Sequence, residues 1–140
     1  MSTTLQLENF MKNDPYFLGV FSIDKLPIKL VPRPGKLIVN LDPSYLEGSH
    51  WIALFFPRNG PGIYFDSFAN HPPERIETFL ERNSPRGYLI NTAKVQEYWS
   101  DNCGLFCIQF LRSCPKYMRF FNKFQHCRNN ENRIANIDHF

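Results

Sequence analysis

The chain has 140 residues, 43% of them hydrophobic and 16% aromatic, with a formal charge of +3. That length holds one domain with a real core but not two ordinary ones, and such a composition excludes an intrinsically disordered chain. The charge is too mild to predict a nucleic-acid or membrane-surface partner by itself. No repeat, low-complexity tract or linker divides the sequence, so residues 1–140 read as a single domain. Apolar runs such as 51–56 are far below the roughly 20 residues of a membrane span. The start, Met1-Ser2-Thr3-Thr4, lacks the basic and apolar regions of a signal peptide. All four cysteines fall between positions 103 and 127. That crowding is unlike a disulfide framework and points to free thiols in a reducing, intracellular setting.

In chain order, residues 3–12 predict a short helix, with Thr3 and Gln6 in capping-box spacing and Asp14-Pro15 as its stop. Residues 37–41 read as a strand between Pro34-Gly35 and Asp42-Pro43. Residues 51–56 and 62–65 read as two more, joined by the turn-rich Pro57-Arg58-Asn59-Gly60-Pro61. A helix is expected over 72–82, with Ile76, Phe79 and Leu80 inward, then strands at 87–90 and 94–95. Residues 103–112 are apolar on most helical faces and predict a buried helix. Met118, Phe120, Phe121 and Phe124 suggest another helix, and residues 130–138 a short terminal one. The fold class is α+β: a small, mostly antiparallel sheet packed on a buried helix.

Cys103 follows Ser100-Asp101-Asn102, three favoured N-cap residues, and so falls in the first turn of that helix. Unpaired backbone N–H groups and the helix dipole there favour a thiolate, the nucleophilic form of cysteine. A buried structural cysteine would give the same local pattern. His50, placed between Gly48-Ser49 and the strand at 51–56, supplies a candidate general base. A surface histidine is the ordinary alternative. Asp66 closes the apolar run Ile63-Tyr64-Phe65, either as the acid that orients an imidazole or as a turn residue. Gln96 precedes Cys103 by seven residues and offers an amide to an oxyanion. Each residue alone is weak; nucleophile, base, acid and oxyanion donor occurring together is not. A zinc site from Cys103, Cys107, Cys114 and His126 or Cys127 is disfavoured, because no Cys-x2-Cys hook is present. No metal and no cofactor is required by these residues.

With those residues in place, the chain resembles the adenovirus-type cysteine proteases, the adenain-like endopeptidases of adenoviruses and related DNA viruses and transposons. The resemblance is carried by Gly48-Ser49-His50-Trp51, by Tyr64-Phe65-Asp66-Ser67-Phe68, and above all by Gln96 through Cys103-Gly104-Leu105-Phe106-Cys107. Asp14-Pro15-Tyr16-Phe17-Leu18-Gly19 and Leu37-Ile38-Val39-Asn40 support it. It implies a papain-like core of adenain type, with Cys103 as nucleophile, His50 as base, Asp66 as orienting acid and Gln96 as oxyanion donor. It implies polypeptide substrates cut after glycine, at Gly-Gly or Gly-X sites, in the processing of viral or transposon precursor proteins. Location in the host nucleus and virion follows from the same resemblance, as does DNA as a cofactor. Arg112, Lys116, Arg119, Lys123 and Arg128 are the basic residues available for DNA, although an ordinary solvated helix face gives the same charge pattern.

Two departures stand out. Asp66 replaces the usual Glu, and Pro85 stands where the adenovirus enzymes carry the cysteine that links an activating peptide. Peptide activation of disulfide type is therefore not expected. The protein is expected to be monomeric, with no membrane partner. Two other functions remain open on sequence: a deconjugating protease for ubiquitin-like modifiers, which shares the His-acid-Gln-Cys order, and a non-catalytic DNA- or capsid-binding module on a protease-like scaffold.

Overall fold

The computed structural model describes residues 3–43, 50–95, 102–114, 124–127 and 134–137. Helix α1, Thr4–Met11, begins with the expected capping box: the Thr3 hydroxyl accepts from the Gln6 N–H and the Gln6 side chain accepts from the Thr3 N–H. Leu7 and Met11, one helical turn apart, are its buried residues. The chain then forms β1 (Phe17–Ser22), β2 (Gly35–Asn40), β3 (Trp51–Phe56) and β4 (Gly62–Phe65). Helix α2 (Glu74–Asn83) leads to β5 (Tyr88–Asn91), and α3 (Cys103–Ser113) precedes β6 (Phe124–Cys127) and β7 (Ile134–Ile137).

The seven described strands form one sheet whose order follows the sequence. β1 runs parallel to β2 and β4 parallel to β5, while the other four neighbouring pairs are antiparallel. The parallel β4–β5 pair needs a crossover, and α2 supplies it.

Continuous apolar strands signal burial on both faces, and β3 shows why. Trp51, Ala53 and Phe55 join a core with α1 and α3, including Leu7, Cys107, Phe110 and Leu111. Ile52, Leu54 and Phe56 join a second core with α2, including Ile76, Phe79 and Leu80. Successive strand residues point to opposite faces, so six apolar residues serve two cores. The Phe65 and Phe110 rings stack at 4.6 Å between centroids, pinning α3 to the end of β4. The sheet is thus covered by helices on both faces, one more layer than the sequence pattern predicts.

Several expectations need correction. Strand β1 was not predicted: it is only half-buried, and its register shifts between Phe17 and Gly19, where Gly19 has a positive φ. Phe124 lies in β6 rather than a helix, and Ile134–Ile137 is a strand, β7. Aromatics at helical spacing misled there, whereas Phe124-Gln125-His126-Cys127 alternates apolar with polar in sequence. Met118, Phe120 and Phe121, the other residues of that expected helix, lie outside the described residues. Residues 94–95 form no strand, although the Val95 N–H donates to the Ser67 carbonyl at 2.9 Å.

Candidate active site

Three elements deliver three side chains to one end of the sheet. His50 immediately precedes β3, and its carbonyl accepts from the Leu41 N–H at 3.0 Å, extending the β2–β3 ladder by one bond. Asp66 immediately follows β4, and Cys103 opens α3, which packs on β3. The first residue of β3 also reaches the thiol: the Trp51 N–H donates to Cys103 Sγ at 3.4 Å.

His50 Nε2 lies 2.8 Å from Asp66 Oδ1, with the histidine side chain 19% exposed and the carboxylate 1%. That bond occupies Nε2 and leaves Nδ1 to serve the Cys103 thiol, with which the imidazole also hydrogen-bonds. The Phe68 ring stacks on the imidazole at 5.0 Å and limits its rotation. Asp66 meets both sequence readings at once. Its Oδ1 accepts from the Phe68 N–H at 2.9 Å and its carbonyl accepts from the Ala69 N–H at 2.8 Å, so it is a turn residue while it holds the histidine.

The electrostatics follow from this geometry. Burial opposes charge on His50, but hydrogen bonds to Asp66 and Cys103, with their negative charges, override it and raise the imidazole to about 9. Burial likewise opposes the Cys103 thiolate. Hydrogen bonds from His50 and the Trp51 N–H, the imidazolium charge and the Gly104 N–H win, and the thiol titrates below its ordinary value. A raised imidazole beside a lowered thiol favours passage of the thiol proton to the imidazole, the direction of a thiolate–imidazolium pair. Its partners come from β3 and from the backbone of α3's first turn, since Asn102 at the N-cap closes no side-chain capping bond.

The sequence reading missed Asn91. Buried at the end of β5, its Oδ1 accepts from the Asp66 N–H at 2.9 Å and its Nδ2 donates to the Asp66 carbonyl at 2.7 Å. The registered β4–β5 pairs end at Tyr64 and Ile90, and the Asn91 amide does with its side chain what further ladder bonds would do. A usable signal existed: a polar residue closing the apolar run Tyr88-Leu89-Ile90 parallels Asp66 closing Ile63-Tyr64-Phe65. Gln96 lies outside the described residues. Val95 is tied to the acid segment, its N–H donating to the Ser67 carbonyl.

No family model matches the chain. It is 31% identical over 112 residues to the protease of bovine adenovirus 2, a match spanning 71% of this chain and 55% of that protein. In sequence the chain is thus similar to an adenovirus protease. The ASFV pS273R protease superposes on 76% of this chain and 53% of its own, with TM-score 0.55 and 20% identity, and so shares the fold. Its selenomethionine form gives TM-score 0.48 at 26% identity, over 61% of this chain and 36% of that one. The chain therefore spans about half the length of these two proteins.

Of the basic residues expected to serve DNA, only Arg112 lies among the described residues. Its guanidinium donates to the Phe10 carbonyl at 2.9 Å and sits over the Phe10 ring at 5.9 Å, joining α3 to α1. Among the described residues no cluster of His, Cys, Asp and Glu has the arrangement of a metal site.

Proposed function

We propose that this chain is a cysteine endopeptidase that cleaves polypeptides after glycine, as in the processing of viral or transposon precursor proteins. The single observation that carries the reading is the His50 imidazole held between the Asp66 carboxylate and the Cys103 thiol. The similarity to an adenovirus protease supports it.

The chemistry follows from the pair. Cys103 Sγ attacks the scissile carbonyl carbon, and the carbonyl π electrons move to oxygen, giving a tetrahedral oxyanion. Gln96, seven residues before Cys103, and the Cys103 N–H are the proposed oxyanion donors. As the intermediate collapses, the C–N bond breaks and the imidazolium delivers its proton to the departing amine, leaving a thioester on Cys103. His50 then takes a proton from water, whose oxygen attacks the thioester and expels the thiolate. The Phe68 ring stacked on His50 favours a narrow approach to the thiol, which supports a glycine at the cleaved position.

The direct test incubates the chain with peptides carrying Gly-Gly and Gly-X sites, with and without duplex DNA, beside a Cys103→Ala control. Cleavage after glycine that the control lacks is the expected result. Labelling by a ubiquitin-like protein with a C-terminal electrophile, with no peptide cleaved, would replace this reading with the deconjugating one.

A further inference from the structure

A second charged concavity lies at the other end of strands β3, β4 and β5, away from His50, Asp66 and Asn91. Its walls are the β3–β4 turn, the turn between α2 and β5, and Arg33 on the approach to β2. The cavity measures about 370 Å³ and is lined by Arg33, Arg58 and Arg86, with Asn59 and Ser84; no carboxylate lines it.

Arg33 is held in place without being neutralised. Its Nη1 donates to the Pro57 and Gly60 carbonyls at 2.9 and 2.6 Å, and its Nη2 to the Asn83 carbonyl at 2.8 Å. Carbonyl oxygens fix a guanidinium but carry no net charge, and this one stays protonated even though partial burial lowers its pKa. The walls are also braced. Asn83 accepts from the Val31 N–H and donates to the Phe79 carbonyl. Ser84 accepts from the Gly62 N–H and donates to the Gly87 carbonyl, joining the two turns. Arg58 and Arg86 are exposed, and neither forms an ion pair with any described residue. Three like charges around one braced concavity repel one another, and a bound anion removes that cost.

We infer that this concavity binds a small polyphosphate. Guanidinium forks match phosphate oxygens in bidentate fashion, and three cations call for more negative charge than one carboxylate brings. A concavity of this size, bounded by two turns and the Arg33 segment, suits a compact ligand, whereas a duplex needs an extended row of cations. The inference is independent of the peptidase reading.

Isothermal titration of the intact chain with inorganic pyrophosphate at physiological salt tests it. A single saturable site is expected, weakened about tenfold by Arg58→Ala or Arg86→Ala and lost in the double variant. Arg112→Ala, outside the concavity, should bind as the parent does. Both substituted side chains are exposed, so near-ultraviolet circular dichroism should show an unchanged fold and basal peptide cleavage should persist. No saturable binding, or binding that survives the double variant, overturns the inference. Duplex DNA binding that the double variant loses, with no response to pyrophosphate, overturns it in favour of a nucleic-acid site.

Discussion

Helix α3 and its C-cap hold three buried cysteines whose chemistry differs sharply from one end to the other. Cys103, Cys107 and Cys114 are 3%, 0% and 7% exposed, so burial alone would make all three inert. Burial pushes Cys107 well above the ordinary thiol range, and the negative charges of Cys103 and Asp66 push it further. Cys114, at the C-cap, rises to about 12 because burial outweighs the nearby Lys36, while Asp14 adds to the rise. Only Cys103 moves down, because His50, the Trp51 N–H and the Gly104 N–H converge on its sulfur. Reactivity is therefore set by what β3 and the helix start bring to the thiol, not by depth in the core.

Breaking that difference at its source gives the largest effect. Cys103→Ala should abolish turnover of Gly-Gly peptides, read by mass spectrometry of the products, while Cys107→Ala should leave turnover largely intact. Next is Asp66→Asn. An amide in place of the carboxylate removes the charge that sustains the imidazolium, and kcat should fall by about 10²–10⁴-fold. Asn91→Ala removes two hydrogen bonds that set the Asp66 backbone. It should lower kcat by about tenfold with KM little changed, and the basic limb of the pH profile should shift toward lower pH. An unchanged profile would leave Asn91 a purely structural residue. Smallest is Cys114→Ala, which touches neither partner of the pair and should leave kcat within about twofold of the parent.

The pH profile sharpens the same contrast. The active form needs a deprotonated Cys103 and a protonated His50. Activity should rise as pH climbs through the lowered thiol value, then fall as pH passes about 9, where the imidazolium loses its proton. A profile that keeps rising beyond that point would mean an unpaired thiol.

How much of this was legible beforehand depends on the kind of signal. Strands at 51–56 and 62–65 and the helix from Cys103 were readable because each is a continuous or periodic apolar run bounded by turn residues. His50, Asp66 and Cys103 were readable because each is a reactive residue at the edge of such a run. Strand β1 was not, being a half-buried strand with a glycine at its register shift. Nor was Asn91, because a buried amide bonding another residue's backbone leaves no periodic trace; only its position at a strand end hinted at the role. The second helical layer was hidden because a strand apolar on both faces looks the same in sequence whatever covers it.

His50, held by Asp66, lowers the thiol of Cys103, whereas those of Cys107 and Cys114 move up. The most direct measurement is the pH dependence of iodoacetamide alkylation, followed for each cysteine by mass spectrometry, in the parent chain and in His50→Ala. The prediction is fast modification of Cys103 well below the pH an ordinary thiol needs. Cys107 and Cys114 should stay unmodified, and Cys103 should slow toward their behaviour once His50 is gone. Equal, sluggish alkylation of all three, or a Cys103 rate indifferent to His50→Ala, would contradict it.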